Sequence, residues 1–247
     1  MTRFSLADDA YARLRAAIVH GQLAPGAAIV EQELGAMLNV SRTPIREAIT
    51  RLELEGYLER DDNFRLIVHL LSRREVAETF LVRELLEGHA VALAADRVSD
   101  RELERLDELV AADQQALRRR RTDELAMLND EIHNLIMEAS RNRTLTDLLK
   151  NLRSRVYGIS AFVVGSPEDQ RRFVEDHAAL VALVRDGDGE GARALVRAHL
   201  RRARDLLIHG LEEGNEADRG LRAARWPPSD RSLSGSGALR GQREGGR

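Results

Sequence analysis

Residues Val40 to Leu58, VSRTPIREAITRLELEGYL, decide the fold of this chain. Ser41, Arg42 and the pair Thr43-Pro44 open a helix, and proline is tolerated in a first turn because its missing N–H would have no partner there. Ile45, Ala48, Ile49, Leu52 and Leu54 recur at roughly helical spacing, so this face is expected to pack inward. The opposite face carries Arg42, Thr43 and Arg46. Arginines and hydroxyls gathered at a helix N-terminus suit contact with base edges and phosphates. The same residues also fit an ordinary amphipathic surface helix.

The flanks favour DNA. Upstream, Ile18 to Gly21 and then Leu23-Ala-Pro-Gly26 close a first helix with glycine and a Pro-Gly turn. Ile29 to Leu38 reads as a short second helix, and Asn39-Val40 as the tight turn into Ser41. Downstream, Gly56 ends the third helix, and Leu58 and Phe64 to Leu70 have the β-rich character of a two-stranded wing. Helix, helix, turn, helix and wing make a compact unit over residues 1–71. In this register the chain resembles the GntR family of bacterial transcription regulators, through Gly21 to Gly26, Glu31 to Leu34 and Val40 to Ile49. The resemblance implies that Ser41, Arg42, Thr43 and Arg46 contact double-stranded operator DNA. Family members usually carry Arg-Gly at the wing tip. Phe64-Arg65 stand there in this chain, so the recognition helix rather than the wing is expected to make the contacts.

Charge does not announce a nucleic-acid partner. Residues 1–71 hold 8 Arg against 10 Asp and Glu, a net of −2, whereas phosphate neutralisation favours a basic domain. Residues 38–51 nevertheless hold three arginines against one glutamate. Modest affinity from one copy is expected, offset by a homodimer reading two half-sites.

The 247 residues suggest about two domains, and an apolar fraction of 43% is enough for substantial cores. There is no cysteine, which excludes disulfides and thiolate metal sites. Lys150 is the only lysine beside 37 arginines. No apolar signal region or membrane-length run is present, so a soluble cytoplasmic protein is expected. Residues 72–214 read as all-helical. Ser72-Arg-Arg-Glu75 and Ser99-Asp-Arg-Glu102 are capping-box patterns. Further helices are expected over Asp123–Ser140, Leu145–Val164, Pro167–Arg185 and Glu190–Glu213, giving a bundle of six. The predicted fold is therefore mainly α, a winged helix-turn-helix followed by an all-α bundle. Residues 215–247 are rich in Gly, Ser and Arg, with 7 Arg against 4 acids, and read as a disordered tail.

Four residues of the bundle form a second constellation. Asn129 and His133 are four apart and share a helix face. His177 and His199 each lie eleven residues from Asp188, the centre of the turn Asp186-Gly-Asp-Gly-Glu-Gly191. In an antiparallel helical hairpin, residues equidistant from the turn reach the same height. Three imidazoles and one oxygen donor suit a divalent ion such as Zn²⁺, Ni²⁺ or Mn²⁺. A lone histidine on a helix is more often an ordinary packed residue.

Residues 72–214 are also similar to the FCD ligand-binding domain of the FadR subfamily, with a helix count like that of its VanR branch. The matching residues are Val82 to Glu87, Asn129 and His133 with Glu138 to Ser140, and the His177–His199 pair. The resemblance implies a metal held by Asn129, His133, His177 and His199, with Arg83 beside a small organic acid effector. Asn129, where an aspartate is common, implies weaker occupancy. The function expected is an effector-controlled DNA-binding regulator, a repressor by type, with no catalytic residues. Two alternatives stand beside it. One is a regulator whose histidines are structural, and the other a metal-dependent hydrolase with Glu138 or Glu175 as base. Arg83 could instead pair with Glu87 as a surface salt bridge.

Overall fold

The computed structural model describes residues 5–19, 22–160 and 166–217. Three helices come first, α1 (Leu6–Val19), α2 (Glu31–Leu38) and α3 (Arg42–Leu54). Strands β1 (Leu58–Arg60) and β2 (Leu66–Val68) then pair antiparallel, with Glu59 opposite Ile67. Six helices follow: α4 (Arg73–Ala95), α5 (Asp100–Arg119), α6 (Thr122–Ala139), α7 (Arg143–Ser160), α8 (Pro167–Arg185) and α9 (Gly189–Ala217). This is the mainly α architecture read from the sequence, wing included.

Local chemistry explains most boundaries. Asn39 takes the left-handed conformation at the end of α2 and sends the chain into α3. Gly56 has φ +76°, which turns the chain out of α3 toward the wing at no steric cost. The Glu75 carboxylate accepts from the Ser72 N–H at 2.8 Å, and that of Glu102 from the Ser99 N–H at 3.0 Å. These are the expected capping boxes.

Four details differ from expectation. The second helix starts at Glu31 because Ala28 instead bridges Ile67 and Ile29 donates to the Leu66 carbonyl, adding an edge to the wing. Leu54 is 83% exposed rather than packed, since it lies about 200° around the helix from Leu52. Phe64 belongs to the wing turn, not to a strand; its φ is +58° and its side chain 81% exposed. Helix α9 continues to Ala217, past the expected end of the bundle at Glu213. The end of α1 at His20-Gly21, the stretch from Ala161 toward Val164 and the tail from Asp218 lie outside the described residues.

The two largest hydrophobic clusters among the described residues lie one in each part. One joins Leu14, Leu34, Ile45, Leu52, Tyr57 and Val68 around α3 and the wing. The other joins Phe80, Val91, Leu106, Ile132, Val184 and Leu200 in the bundle. Helix α4 is the bundle's axis, with α9 lying along it. Gly88 permits that approach, because a Cβ there would sit 3.2 Å from Arg193 Cγ.

Candidate functional site

The bundle brings the three histidines together. The His133, His177 and His199 rings, from α6, α8 and α9, have centroids 5.1 to 5.6 Å apart. One ring nitrogen from each lies within 4.8 Å of the others, and all three residues are buried. The equal spacing about Asp188 thus does place His177 beside His199.

Each imidazole is held by a carboxylate on its far side. Asp113 of α5 faces His177 Nδ1 at 2.7 Å, Asp176 faces His199 Nδ1 at 3.1 Å, and Glu87 of α4 faces His133 Nδ1 at 3.2 Å. A carboxylate can only accept, so Nδ1 carries the hydrogen and Nε2 keeps its lone pair. Burial and the Arg153 charge hold His133 well below the ordinary imidazole value. His199 is pushed down to about 4, chiefly by burial and against the pull of Asp176. His133 and His199 are therefore neutral bases near pH 7. His133 Nε2 is buried without a hydrogen-bond partner. Leaving a buried acceptor unpaired costs roughly 1–3 kcal/mol, which an ion would relieve.

Asn129 completes the set. Its Oδ1 is 3.2 Å from His177 Nε2. With Nε2 as an acceptor, two acceptors face each other across that gap. Either the amide turns its NH₂ toward the ring or both atoms share a cation. Imidazole ligands backed by carboxylates are the arrangement found around protein-bound metals. The donor set fits a divalent first-row ion.

A cavity of about 180 Å³ adjoins the histidines, bordered by Phe80, Arg83, Asn129, Arg153 and Phe173. Arg83 does pair with Glu87, Nε to Oε1 at 2.8 Å, but both side chains are buried, so this is not a surface bridge. Arg83 also stacks over the Phe80 ring at 4.5 Å. Arg153 of α7 reaches Glu87 Oε2 at 3.3 Å and Asp130 Oδ1 at 2.5 Å. Burial would raise the Glu87 carboxyl, yet Arg83, Arg153 and His133 outweigh it and hold it well below 4.5. Two guanidiniums and an imidazole thus meet on one buried carboxylate. Arg153, Asp113 and Asp176 escaped the sequence reading, as did the contact of Glu87 with His133. Arg153 is one of 37 arginines, and the three carboxylates come from three helices without shared spacing.

At the other end, Ser41 precedes α3, while Arg42, Thr43 and Arg46 are exposed along its first turns. Arg51, also counted in the local positive charge, is engaged internally. It reaches Asp8 at 2.8 Å and lies over the Tyr11 ring at 4.0 Å. The two ends of the molecule touch through α7. Ser154 Oγ is hydrogen-bonded to Tyr57 OH, just beyond the end of α3, and Arg15 Nε also donates to Tyr57 OH at 3.1 Å.

Sequence profiles match both parts, the bacterial regulatory proteins of the gntR family over residues 6–67 and the FCD domain over residues 75–202. The chain belongs to the GntR family of transcription regulators, in its FCD-containing form. It is 30% identical to the HTH-type transcriptional regulator YdhC of Bacillus subtilis, over 83% of this chain and 92% of that one. It is 31% identical to the Nta operon transcriptional regulator of Aminobacter aminovorans, over 74% and 86%. Among solved structures, E. coli McbR/YncC superposes with a TM-score of 0.75 at 25% identity, covering 85% of this chain and all of that one. As a GntR-family protein it is a DNA-binding transcriptional regulator and not an enzyme. Consistent with that, Glu138 is exposed and bound to Lys150 at 2.6 Å, and Glu175 is exposed too. No helix of the described residues is long and apolar enough to cross a membrane.

Proposed function

We propose that this regulator is a homodimeric repressor whose operator affinity is set by a small carboxylate effector in the bundle, held beside a divalent metal. Residues 1–71 read the DNA, and residues 72–214 bind the effector and pair the two copies. His133, His177, His199 and Asn129 would hold the ion. When bound, it would supply open positions that take carboxylate oxygens readily. The observation that carries this reading is the set of carboxylate-backed imidazoles, with Nε2 of His133 unpartnered, beside a cavity bordered by two arginines.

The chain's own residues do the rest. Arg83 and Arg153 border the cavity and favour an anion, and a guanidinium can grip a carboxylate with two parallel hydrogen bonds. Glu87 pairs with both guanidiniums and so balances their charge inside the bundle. On α3, Arg42, Thr43 and Arg46 face outward toward a major groove, with Ser41 near the phosphates. The second copy would cover the exposed apolar side chains Leu81, Val82 and Leu85 of α4 and Leu148 of α7. A ligand that draws on Arg153 acts on α7, whose next residue holds Tyr57 at the foot of α3. Effector and operator are then linked, and each alters the other's affinity by the same factor.

Titration calorimetry of the metal-loaded protein with dicarboxylates and sugar acids tests the effector site. Binding of one class, weakened at least tenfold in Arg83→Ala, is expected. Absence of heat from every carboxylate, or unchanged binding in the variant, contradicts it. Arg46→Ala is expected to abolish specific DNA binding while leaving the oligomer and metal content intact.

A further inference from the structure

Glu31 is an acidic residue facing a helix that is meant to meet phosphates. It is the first residue of α2, and its Oε2 accepts from Arg46 Nε at 2.9 Å. Arg46 and Glu31 side chains are 68% and 37% exposed. Exposed ion pairs contribute little to stability, and a carboxylate beside DNA opposes phosphate attraction. Folding energy therefore gives little reason for the pair, and non-specific DNA binding gives a reason against it.

The atoms used suggest another role. Glu31 takes only Nε, so the terminal Nη1 and Nη2 of Arg46 have no bond to another described residue. That terminal pair is the fork that binds guanine O6 and N7 in the major groove. Tethering at Nε removes rotamer freedom that a long side chain would otherwise lose on binding. Arg42, one turn earlier, has no ion pair among the described residues and stays free to follow a phosphate. Arg51 is committed to Asp8 and Tyr11.

We propose that Glu31 is a positioning residue for base recognition, holding Arg46 so that its terminal nitrogens read one guanine in each half-site. This rests on the reading of α3 as the helix that enters the groove with Arg46 facing the bases. Glu31 thereby trades general DNA affinity for discrimination at one position.

In vitro selection of the full-length protein on a randomised duplex library tests it, comparing wild type with Glu31→Ala, Glu31→Gln and Arg46→Ala. Wild type is expected to enrich a guanine at one position of each half-site. In Glu31→Ala the preference for that guanine falls at least tenfold, other positions keep theirs, and affinity for unrelated duplex rises. Glu31→Gln loses less, because its amide oxygen still accepts from Nε. A Glu31→Ala protein that keeps the guanine preference while Arg46→Ala loses it overturns the proposal and leaves the role of Arg46 standing. An Arg46→Ala protein with the wild-type pattern, or a wild type without base preference, overturns both.

Discussion

At His199, burial outweighs the pull of Asp176, and this makes the metal-free bundle acid-sensitive. The unfolded chain gains a proton on this ring below 6.5, whereas the folded chain refuses it until about pH 4. Stability is therefore lost as pH falls through that window. For one such group the loss is about 1.4 kcal/mol per pH unit, or about 2 kcal/mol between pH 6.5 and 5. His133 is shifted in the same direction and adds to it. Urea unfolding of metal-stripped protein across this range should show the loss, and His199→Gln should flatten the curve. The histidines themselves were legible in the sequence, two from their symmetry about Asp188 and one from its spacing to Asn129. Their supporting carboxylates were not, because Glu87, Asp113 and Asp176 become neighbours of the rings only through tertiary packing. Leu54 failed for a simpler reason, since it lies on the far side of α3 from Leu52 despite its apolar character.

Helix α4 shows what periodicity does and does not reveal. Its capping box fixed the start at Ser72. Its burial on several faces, with Arg83, Glu84 and Glu87 all inside, is not what an amphipathic pattern describes. Arg83 was accordingly expected at the surface if it paired with Glu87, and the structure puts that pair in the interior. Gly88 marks where α9 crosses closely. Gly88→Leu should destabilise the protein by about 1–3 kcal/mol, because its branches must displace the Arg193 and Arg197 stems. Gly88→Ala should stay near neutral, since helix propensity gained, roughly 1 kcal/mol, offsets a contact with a flexible side chain. Denaturant midpoints of the two variants check both outcomes. The wing was legible as two strands, but not the aspartate-held turn that sets it: Asp61 Oδ1 accepts from the backbone N–H groups of Asn63 and Arg65, each at 2.9 Å.

Across the whole molecule, the contact of Ser154 with Tyr57 joins the two cores, and no sequence pattern announced it, since the residues are 97 apart. Arg153 and Ser154 are adjacent on α7, one at the cavity and the other at the foot of α3. Tyr57→Phe and Ser154→Ala should therefore leave metal content unchanged and reduce the factor by which effector alters operator affinity, by roughly fivefold for a lost coupling of about 1 kcal/mol. Anisotropy titrations of operator DNA with and without effector measure that factor. The architecture, the DNA-binding unit and the histidine cluster were thus readable from local pattern, while the connection between them depends on how the units dock. The most direct measurement is the metal content of untagged protein by mass spectrometry, for wild type and for the His177→Ala/His199→Ala variant. Near-stoichiometric divalent metal is expected in the wild type, and its loss in the double variant. Wild-type protein that holds no metal under metal-replete conditions, or a double variant that keeps it, would rule out a metal held by these histidines.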